Sequence, residues 1–306
     1  MTDFKGRTAV LTGAASGFGL ECARIAAREG MNVVLVDVQA DALAAALAEV
    51  EGLAAPHGGR VLARSVDVAS ADAMQALATE IQQRFGAPHL VFNNAGVASG
   101  GLVWESTVKD WQWVLGVNLW GVVHGVRLFT PMMLAAAAAD PAWQGHIVNT
   151  ASMAGLLSPP NMGVYNVSKH AVVTLSETLY QDLALVTTQV HAHVLCPFFV
   201  PTGISASQRN RPAGMQDTDA QATRSQLIGQ AMSEKAVGSG RVSAADVAAK
   251  VFAALRDQQF YIFSHPKALA SVQTRLDDVV QGRNPTDPFQ DKPVVGEQLR
   301  AALRGV

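Results

Sequence analysis

Cysteine is scarce in this sequence, and charged residues are few. The two cysteines among the 306 residues, Cys22 and Cys196, are far apart and outside any CxxC spacing, so the sequence supports neither a disulfide framework nor a zinc site. Charged residues make up 16% of the chain and the formal net charge is -2, which gives no basic surface for a nucleic acid. We therefore expect a reducing compartment, no metal ion and no nucleic-acid partner.

Long apolar runs are also lacking. The longest, Leu128–Ala139, contains Thr130 and Pro131 and is shorter than the ~20 residues that cross a bilayer. The first residues carry Asp3 and lead directly into a short apolar run and a glycine loop, unlike a signal peptide. We expect a cytoplasmic protein without a membrane segment.

Short β-branched runs alternate with longer, alanine-rich stretches of helical periodicity. This alternation is typical of βαβ units, in which helices cover both faces of a parallel sheet. The sequence predicts seven strands, at Thr8–Leu11, Val33–Val36, Val61–Ser65, Leu90–Phe92, Ile147–Thr150, Val190–Leu195 and Tyr261–Phe263. Six helical connections separate them, among them Val164–Leu185 and a helix that opens with a capping box at Ser243 and runs to Leu255. We therefore predict an α/β fold with a doubly wound, parallel, seven-stranded sheet.

A glycine-rich loop joins the first strand to the first helix. Its residues include Gly13, Ser16, Gly17, Phe18 and Gly19. Glycines here let the backbone approach a pyrophosphate, whose charge the N–H groups of a helix N-terminus neutralise. A tight strand-to-helix turn without a ligand has the same glycines, so the loop alone leaves both interpretations open.

Asp37 follows at the end of the second predicted strand. A carboxylate there can accept hydrogen bonds from both adenine-ribose hydroxyls and would repel a 2′-phosphate. Ala15, Ser16 and Val38 supply no cation that would compensate such a phosphate. Asp37 could instead cap the following helix. Together with the glycine loop, it favours a dinucleotide site that prefers NAD to NADP.

Further motifs occur in order along the chain. They are Asp67-Val68 after the third predicted strand, Asn93-Asn94-Ala95-Gly96 after the fourth, Asn118 in the next helix, Ser152 at the end of the fifth strand, and Tyr165 with Lys169 in a YxxxK pattern. With the glycine loop and Asp37, these motifs resemble the short-chain dehydrogenase/reductase family over residues 5 to 203. The resemblance implies a Rossmann-type fold.

The resemblance also implies roles for individual residues. Besides the glycine loop and Asp37, it assigns cofactor contacts to Asp67, Val68, Asn94, Ala95, Gly96, Tyr165, Lys169, Pro197, Val200 and Thr202. It implies NAD as the cofactor, a homodimer or homotetramer, and a catalytic group of Asn118, Ser152, Tyr165 and Lys169. In one departure, Phe198 stands where the family commonly has glycine, which makes Phe198 a candidate for a pocket wall.

The catalytic group has a chemical rationale. Tyr165 and Lys169 are four residues apart, so a helix places them on one face. A phenol with its ordinary pKa of ~10 is a poor base, and lowering that pKa by about two units takes roughly 3 kcal/mol, which a neighbouring ammonium can supply. Ser152 would bind the substrate oxygen. By resemblance, Asn118 would hold a water in a locally opened helix and link Lys169 to solvent.

These residues predict an NAD(H)-dependent oxidoreductase that interconverts a secondary alcohol and a ketone, or an aldehyde, with Tyr165 as the general acid and base. One alternative is a non-catalytic dinucleotide-binding scaffold or regulator. Another is an epimerase or dehydratase of the same family. An intact catalytic group argues against the first alternative, and the lack of a second substrate domain argues against the second.

The substrate pocket is predicted from apolar residues around the catalytic group. We expect substrate contacts from Ser152, Met153, Leu157, Met162, Tyr165 and Phe198. Walls of this kind reject charged ligands, so the substrate should be a medium-sized, apolar or aromatic alcohol or ketone. His146, His191 and His193 lack a partner at ligand spacing, and Trp113 fits a core or subunit contact.

The chain divides into one domain and an extension. Residues 1–265 form the predicted dinucleotide-binding and catalytic domain, and 266–306 form a C-terminal extension packed on it. Within the domain, residues 203–241 are polar and glycine-bearing, which predicts either a substrate lid or a disordered loop.

Overall fold

The computed structural model describes residues 3–216 and 221–305. Residues 217–220 of the predicted lid, and the chain ends at 1–2 and 306, lie outside the described residues. Seven strands form one parallel sheet in the order β3-β2-β1-β4-β5-β6-β7. The strands are β1 Thr8–Thr12, β2 Asn32–Asp37, β3 Val61–Ser65, β4 Leu90–Asn93, β5 Gly145–Thr150, β6 Val190–Cys196 and β7 Tyr261–Phe263. The predicted doubly wound, seven-stranded fold is confirmed.

Several strands run beyond the apolar runs that predicted them. β1 includes Thr12, β2 includes Asp37 and β4 includes Asn93. Ladder hydrogen bonds are made by the backbone, so a polar side chain can end a strand without breaking the pairing. Polar groups from neighbouring strands therefore meet at the carboxyl edge of the sheet, where open α/β sheets bind ligands.

The ten helices of the described residues include all six predicted connections. They are α1 Gly17–Arg28, α2 Ala40–Ala54, α3 Ala71–Phe85, α4 Val108–Leu115, α5 Gly121–Ala139, α6 Gly163–Val186, α7 Arg224–Gly238, α8 Ala244–Asp257, α9 Leu269–Val280 and α10 Pro293–Arg304. Ser243 and Asp246 form the predicted capping box of α8. Helices α1, α2 and α8 bury one face of the sheet, and α3, α5 and α6 bury the other.

A five-residue π-turn, Gly116–Trp120, joins α4 to α5 without a break. The resulting stretch, Val108–Ala139, is long and apolar enough to cross a membrane by length and composition alone. The sequence criterion missed it because it considered Leu128–Ala139 by itself. Core helices pass the same test, and Phe129 and Met133 are fully buried against the sheet.

The segment predicted as lid or disordered loop contains regular structure in its described part. Residues Gly203–Asn210 and Ala213–Met215 form short 3-10 helices, and α7 follows. In the extension, Leu269 and Val272 of α9 pack against the core beside β6, and α10 packs on α7. The sequence predicted no helix at α10.

Candidate active site

The glycine loop makes a close approach that side chains would block. Gly13 and Gly17 have φ angles of +64° and +55°, a region that glycine enters without strain. A Cβ at Gly19 would overlap the carbonyl oxygen of Gly13. The Ser16 side chain makes no capping hydrogen bond to α1 within the described structure. The helix therefore presents its first N–H groups to the cleft at this end of the sheet.

Asp37 is buried at the end of β2 and lines the same cleft. One carboxylate oxygen accepts a hydrogen bond from the Ala15 N–H, and the other accepts one from the Gln39 N–H, each at 3.0 Å. Gln39 is the residue that opens α2. Asp37 thus fixes the glycine loop and the start of α2 at once, and each oxygen keeps a lone pair for a further donor.

Thr12, Asn94 and Thr150 join the carboxyl ends of β1, β4 and β5. The Thr12 Oγ1 accepts hydrogen bonds from the N–H groups of Asn94 and Ala95, at 2.9 and 3.1 Å. The Asn94 amide donates to the Thr12 carbonyl at 3.0 Å, and its oxygen accepts from Thr150 Oγ1 at 3.3 Å. This network holds the 94–96 backbone rigidly along the cleft, whereas Asp67 holds only the Ala69 N–H.

Tyr165 and Lys169 lie one turn apart on α6, and both are buried. The Lys169 Nζ lies 5.7 Å from the centre of the Tyr165 ring and donates to the Thr150 carbonyl at 2.9 Å. Burial lowers the pKa of Lys169 to about 8. Burial raises the pKa of Tyr165, and a hydrogen bond with Ser152 partly opposes that rise. The phenol therefore needs a nearby positive charge to ionise near neutrality.

Ser152 follows β5 and caps the start of the short 3-10 turn Met153–Gly155. Its Oγ accepts a hydrogen bond from the Ala154 N–H at 3.1 Å and donates to the Pro197 carbonyl at 3.4 Å. The second of these bonds is long. The hydroxyl can therefore turn toward an oxygen bound near Tyr165 at little cost.

Asn118 lies fully buried within the π-turn. Its Oδ1 accepts from the Val97 N–H at 2.8 Å, and its Nδ2 donates to the Val97 carbonyl and to Ser168 Oγ. A Cβ at Gly96 would lie 3.5 Å from Asn118 Oδ1 and 3.7 Å from Lys169 Nζ. Glycine at this position leaves a small open space between those two polar atoms.

One cleft brings together most of the residues predicted to bind a cofactor. Its lining includes Gly13, Ser16, Gly17, Phe18, Asp37, Asp67, Val68, Asn94, Ala95, Gly96, Tyr165, Lys169, Pro197 and Thr202. Gly19 lies behind this surface against Gly13. Val200 is a buried core residue of the sheet face that carries α1 and α8 and is not among the residues that line the cleft.

The residues predicted to bind substrate are placed mostly elsewhere. Met153 is buried in the core with Val172 and Val173, because the tight turn after Ser152 directs it inward. Leu157 packs against the same core. Phe198 is 41% exposed, and its ring contacts Phe199 and His265. Met162 pairs its backbone with Gly101. Only Tyr165 of the predicted substrate set lines the cleft.

The predicted site residues do not include the other wall of the cleft, although part of that wall lies in the 203–241 segment predicted as a lid or disordered loop. This wall is lined by Gln112, Trp113 and Val117 from the α4 region and by Ile204, Ser207, Arg209, Asn210, Pro212 and Met215 from the 203–216 segment. Trp113 lies on the helical face one turn before Val117 and was predicted to make a core or subunit contact. Its ring is indeed buried, but it borders the cleft as well.

The buried histidines form a packing cluster. His193 Nδ1 donates to the Gln259 carbonyl at 2.7 Å, so its Nε2 accepts from His146 Nδ1 at 2.9 Å. Burial lowers the pKa of His193 to about 4 and lowers that of His146 further. Both rings are therefore neutral at physiological pH. The described residues contain no group of three side chains arranged to hold a metal ion.

The parallel sheet, the glycine loop and the polar network at the strand ends define a Rossmann-type α/β protein. The family model described as short chain dehydrogenase matches residues 7–213. The chain therefore belongs to the short-chain dehydrogenase/reductase family, as the motifs predicted.

Solved and characterised relatives support this assignment over most of the chain. A short-chain dehydrogenase/reductase from Burkholderia phymatum, solved in complex with NAD, is 49% identical with a TM-score of 0.89, covering 94% of this chain and 99% of that chain. A CLA biosynthesis dehydrogenase/reductase of Lactiplantibacillus plantarum is 32% identical over 293 residues, 95% of this chain and 99% of the relative. A 1-deoxy-11-beta-hydroxypentalenate dehydrogenase of Streptomyces avermitilis is 34% identical over 273 residues, 89% of this chain and 87% of the relative.

Proposed function

We propose that this protein is an NAD(H)-dependent oxidoreductase that interconverts a secondary alcohol and a ketone. The observation that carries the proposal is the position of two groups in one cleft. Asp37 lines it where a ribose would bind, and the buried pair Tyr165 and Lys169 lines it as well. We further propose a cytoplasmic homodimer or homotetramer that acts on small molecules.

The residues present fit NAD. The loop at Gly13 and Gly17 offers backbone N–H groups to a pyrophosphate, and Asp37 offers carboxylate oxygens to ribose hydroxyls. The NAD bound by the B. phymatum protein supports this choice. When bound, the nicotinamide supplies the acceptor or donor of the hydride.

Tyr165 would hold and move the proton of the substrate oxygen. Lys169, whose pKa is about 8, carries its charge in most molecules at pH 7 and favours the phenolate. Ser152 would donate a hydrogen bond from its hydroxyl group to the substrate oxygen. This hydrogen bond becomes stronger as negative charge develops on that oxygen. The space between Lys169 Nζ and Asn118 Oδ1 would hold a water that returns the proton to solvent.

The substrate would be medium-sized and apolar or aromatic. Trp113, Val117, Pro212 and Met215 give the cleft an apolar wall, and such walls reject charged ligands. Arg211, a cation that could have attracted an anion, is paired with Asp110, and Arg209, which lines the cleft, donates to Gln39 Oε1 and to the Gly203 and Ala206 carbonyls. The name of the S. avermitilis relative, a dehydrogenase of a hydroxypentalenate, agrees with oxidation of a hydroxyl group, but it names a carboxylate and so does not support the apolar class.

The test begins with NAD and a panel of secondary alcohols of graded size, followed at 340 nm. Tyr165→Phe removes only a hydroxyl, so we expect kcat to fall by about 10²–10⁴ while the Kd for NADH stays unchanged. Tyr180→Phe is the matched control, since Tyr180 is half-exposed and packs on Phe260.

Three outcomes would each contradict part of the proposal. Retention of about a tenth of kcat in Tyr165→Phe would remove Tyr165 from the acid–base role. Binding of NADH without turnover across the panel would favour the scaffold alternative. Better turnover of hydroxy acids than of neutral carbinols would overturn the substrate class.

A further inference from the structure

Residues 211–216, which we call the wall segment, form one side of the cleft. Pro212 and Met215 line it on the same side as Trp113 of α4. The segment contacts the rest of the fold through Arg211, whose side chain reaches back over α4. Met215 also packs against the apolar cluster that contains Trp113, and Lys109 Nζ donates to the Gln216 carbonyl at 2.8 Å. A segment of polar, glycine-bearing sequence keeps one position only if specific contacts fix it.

Arg211 makes three contacts that fix the segment. Its Nη1 donates to Asp110 Oδ1 at 2.6 Å, its Nε donates to the Met215 carbonyl at 2.8 Å, and its Cζ lies 5.3 Å from the centre of the Trp113 ring. The guanidinium therefore ties the helix, the wall segment and the aromatic side of the cleft together.

The ion pair is sheltered from solvent. The Arg211 side chain is 11% exposed and that of Asp110 is 13% exposed, whereas both side chains of the Arg256–Glu29 pair are 39% exposed. The Nη2 of Arg211 is buried and has no hydrogen-bond partner among the described residues. Asp110 is therefore the anion that balances this cation, and removing it leaves a buried charge uncompensated.

Asp110 is itself held in a fixed orientation. Its other oxygen accepts from the Thr107 N–H at 2.9 Å, and the Thr107 side chain accepts from the Asp110 N–H, which makes the capping box of α4. One oxygen of Asp110 is already fixed by the cap of α4. Pairing of the other oxygen with Arg211 therefore costs Asp110 little further side-chain entropy.

We propose that Asp110 and Arg211 are a positioning pair that holds the wall segment against Trp113 and so sets the affinity of the substrate end of the cleft. Neither residue lines the cleft, so the pair acts through Trp113, Pro212 and Met215. The proposal rests on the proposed function for its substrate. The effect of the Asp110–Arg211 pair on the position of the wall segment does not depend on that function.

The test compares Asp110→Asn with the wild type and with Glu29→Gln, which breaks the exposed pair with Arg256. For the best alcohol of the panel we expect Asp110→Asn to raise KM about tenfold or more, because the unpaired cation expels the wall segment. We expect kcat to change little, since Tyr165, Lys169 and Ser152 are untouched. Glu29→Gln should leave both constants unchanged.

Hydrogen exchange of residues 211–216 gives a readout that needs no turnover. Exchange should be about tenfold faster in Asp110→Asn and unchanged in Glu29→Gln. Arg211→Met should also raise KM, and the double variant should be no worse than either single one, as for two residues that act as a pair.

Unchanged exchange in Asp110→Asn would overturn the proposal even if no alcohol were turned over. Faster exchange with unchanged KM would also overturn it, because the wall would then move without affecting the substrate. An equal loss of kcat and kcat/KM would point to the catalytic group rather than to the wall. Absence of turnover in the wild type would count against the proposed function alone.

Discussion

Cofactor choice is predicted to depend on the single carboxylate of Asp37. Its two oxygens are held by the Ala15 and Gln39 N–H groups, so the charge cannot swing away from a ligand bound at the end of β2. We expect the wild type to bind NADH more tightly than NADPH. Asp37→Ser combined with Val38→Arg should reverse that preference.

The magnitude follows from the geometry. A 2′-phosphate at ~4 Å from the carboxylate, in an effective dielectric of about 20, meets a repulsion of about 4 kcal/mol per pair of unit charges. Solvent screening reduces this repulsion, but a quarter of it still gives about fivefold discrimination. The double substitution removes a negative charge at position 37 and adds a positive charge at position 38. The ratio of the two Kd values should therefore shift by at least about tenfold toward NADPH.

The assay is the Kd of NADH and of NADPH, measured by nicotinamide fluorescence, which requires no substrate. The ratio is the informative quantity, because Asp37→Ser leaves one of two backbone N–H groups unpaired and weakens both complexes alike.

The structure adds a cation that the local sequence lacks. Arg209 donates to Gln39 Oε1 at 3.0 Å and lines the cleft beside Asp37.

Arg209→Gln in the double-variant background therefore serves as a second measurement. It should reduce part of the gain for NADPH, whereas Arg209→Gln alone should change the wild-type ratio little, since the Asp37 carboxylate, fixed by the Ala15 and Gln39 N–H groups, still repels a 2′-phosphate there. If the wild type bound NADPH more tightly, or the Asp37→Ser, Val38→Arg protein kept the wild-type ratio, Asp37 would not be the group that reads the ribose.

Two further predictions concern the glycine loop and the histidine cluster. Gly19→Ala should weaken NADH binding at least about tenfold and cost about 1–3 kcal/mol of stability, because its Cβ would overlap the Gly13 carbonyl; Gly52→Ala, in open space on α2, is the control and should leave the Kd unchanged. His193 has a pKa of about 4 in the folded protein against an ordinary 6.5. The unfolded chain therefore binds more protons between these two pH values. As the pH drops through this window, the free energy of unfolding should fall by about 3 kcal/mol. His193→Gln should flatten this fall in urea titrations at pH 7 and pH 4.5, whereas His57→Gln, at an exposed position, should not; equal slopes in all three proteins would refute the assignment.

The sequence determined the succession of strands and helices along the chain, the glycine loop and the pairing of Tyr165 with Lys169. Each depends on residues that are near one another in the chain, where alternation or a spacing of four fixes which side chains share a face. The ends of β1, β2 and β4 were predicted less well. Their polar residues broke the apolar pattern while the backbone pairing continued.

Only the tertiary structure decided which side chains surround the cleft. Met153 was predicted to line it from its place after Ser152, yet one tight turn directs it into the core. Arg209 meets Gln39 from 170 residues away. Contacts of this kind depend on how helices and loops pack across the sheet, and no local periodicity encodes that packing.

The Asp110–Arg211 pair shows both what the sequence determined and what only the tertiary structure decided. The sequence contained the Thr107–Asp110 capping box, since a cap is a contact across three residues. That the second carboxylate oxygen would meet Arg211, 101 residues later, follows only from the folding of the 203–216 segment over α4. Local chemistry thus fixed where Asp110 lies on its helix, and long-range packing decided what it holds.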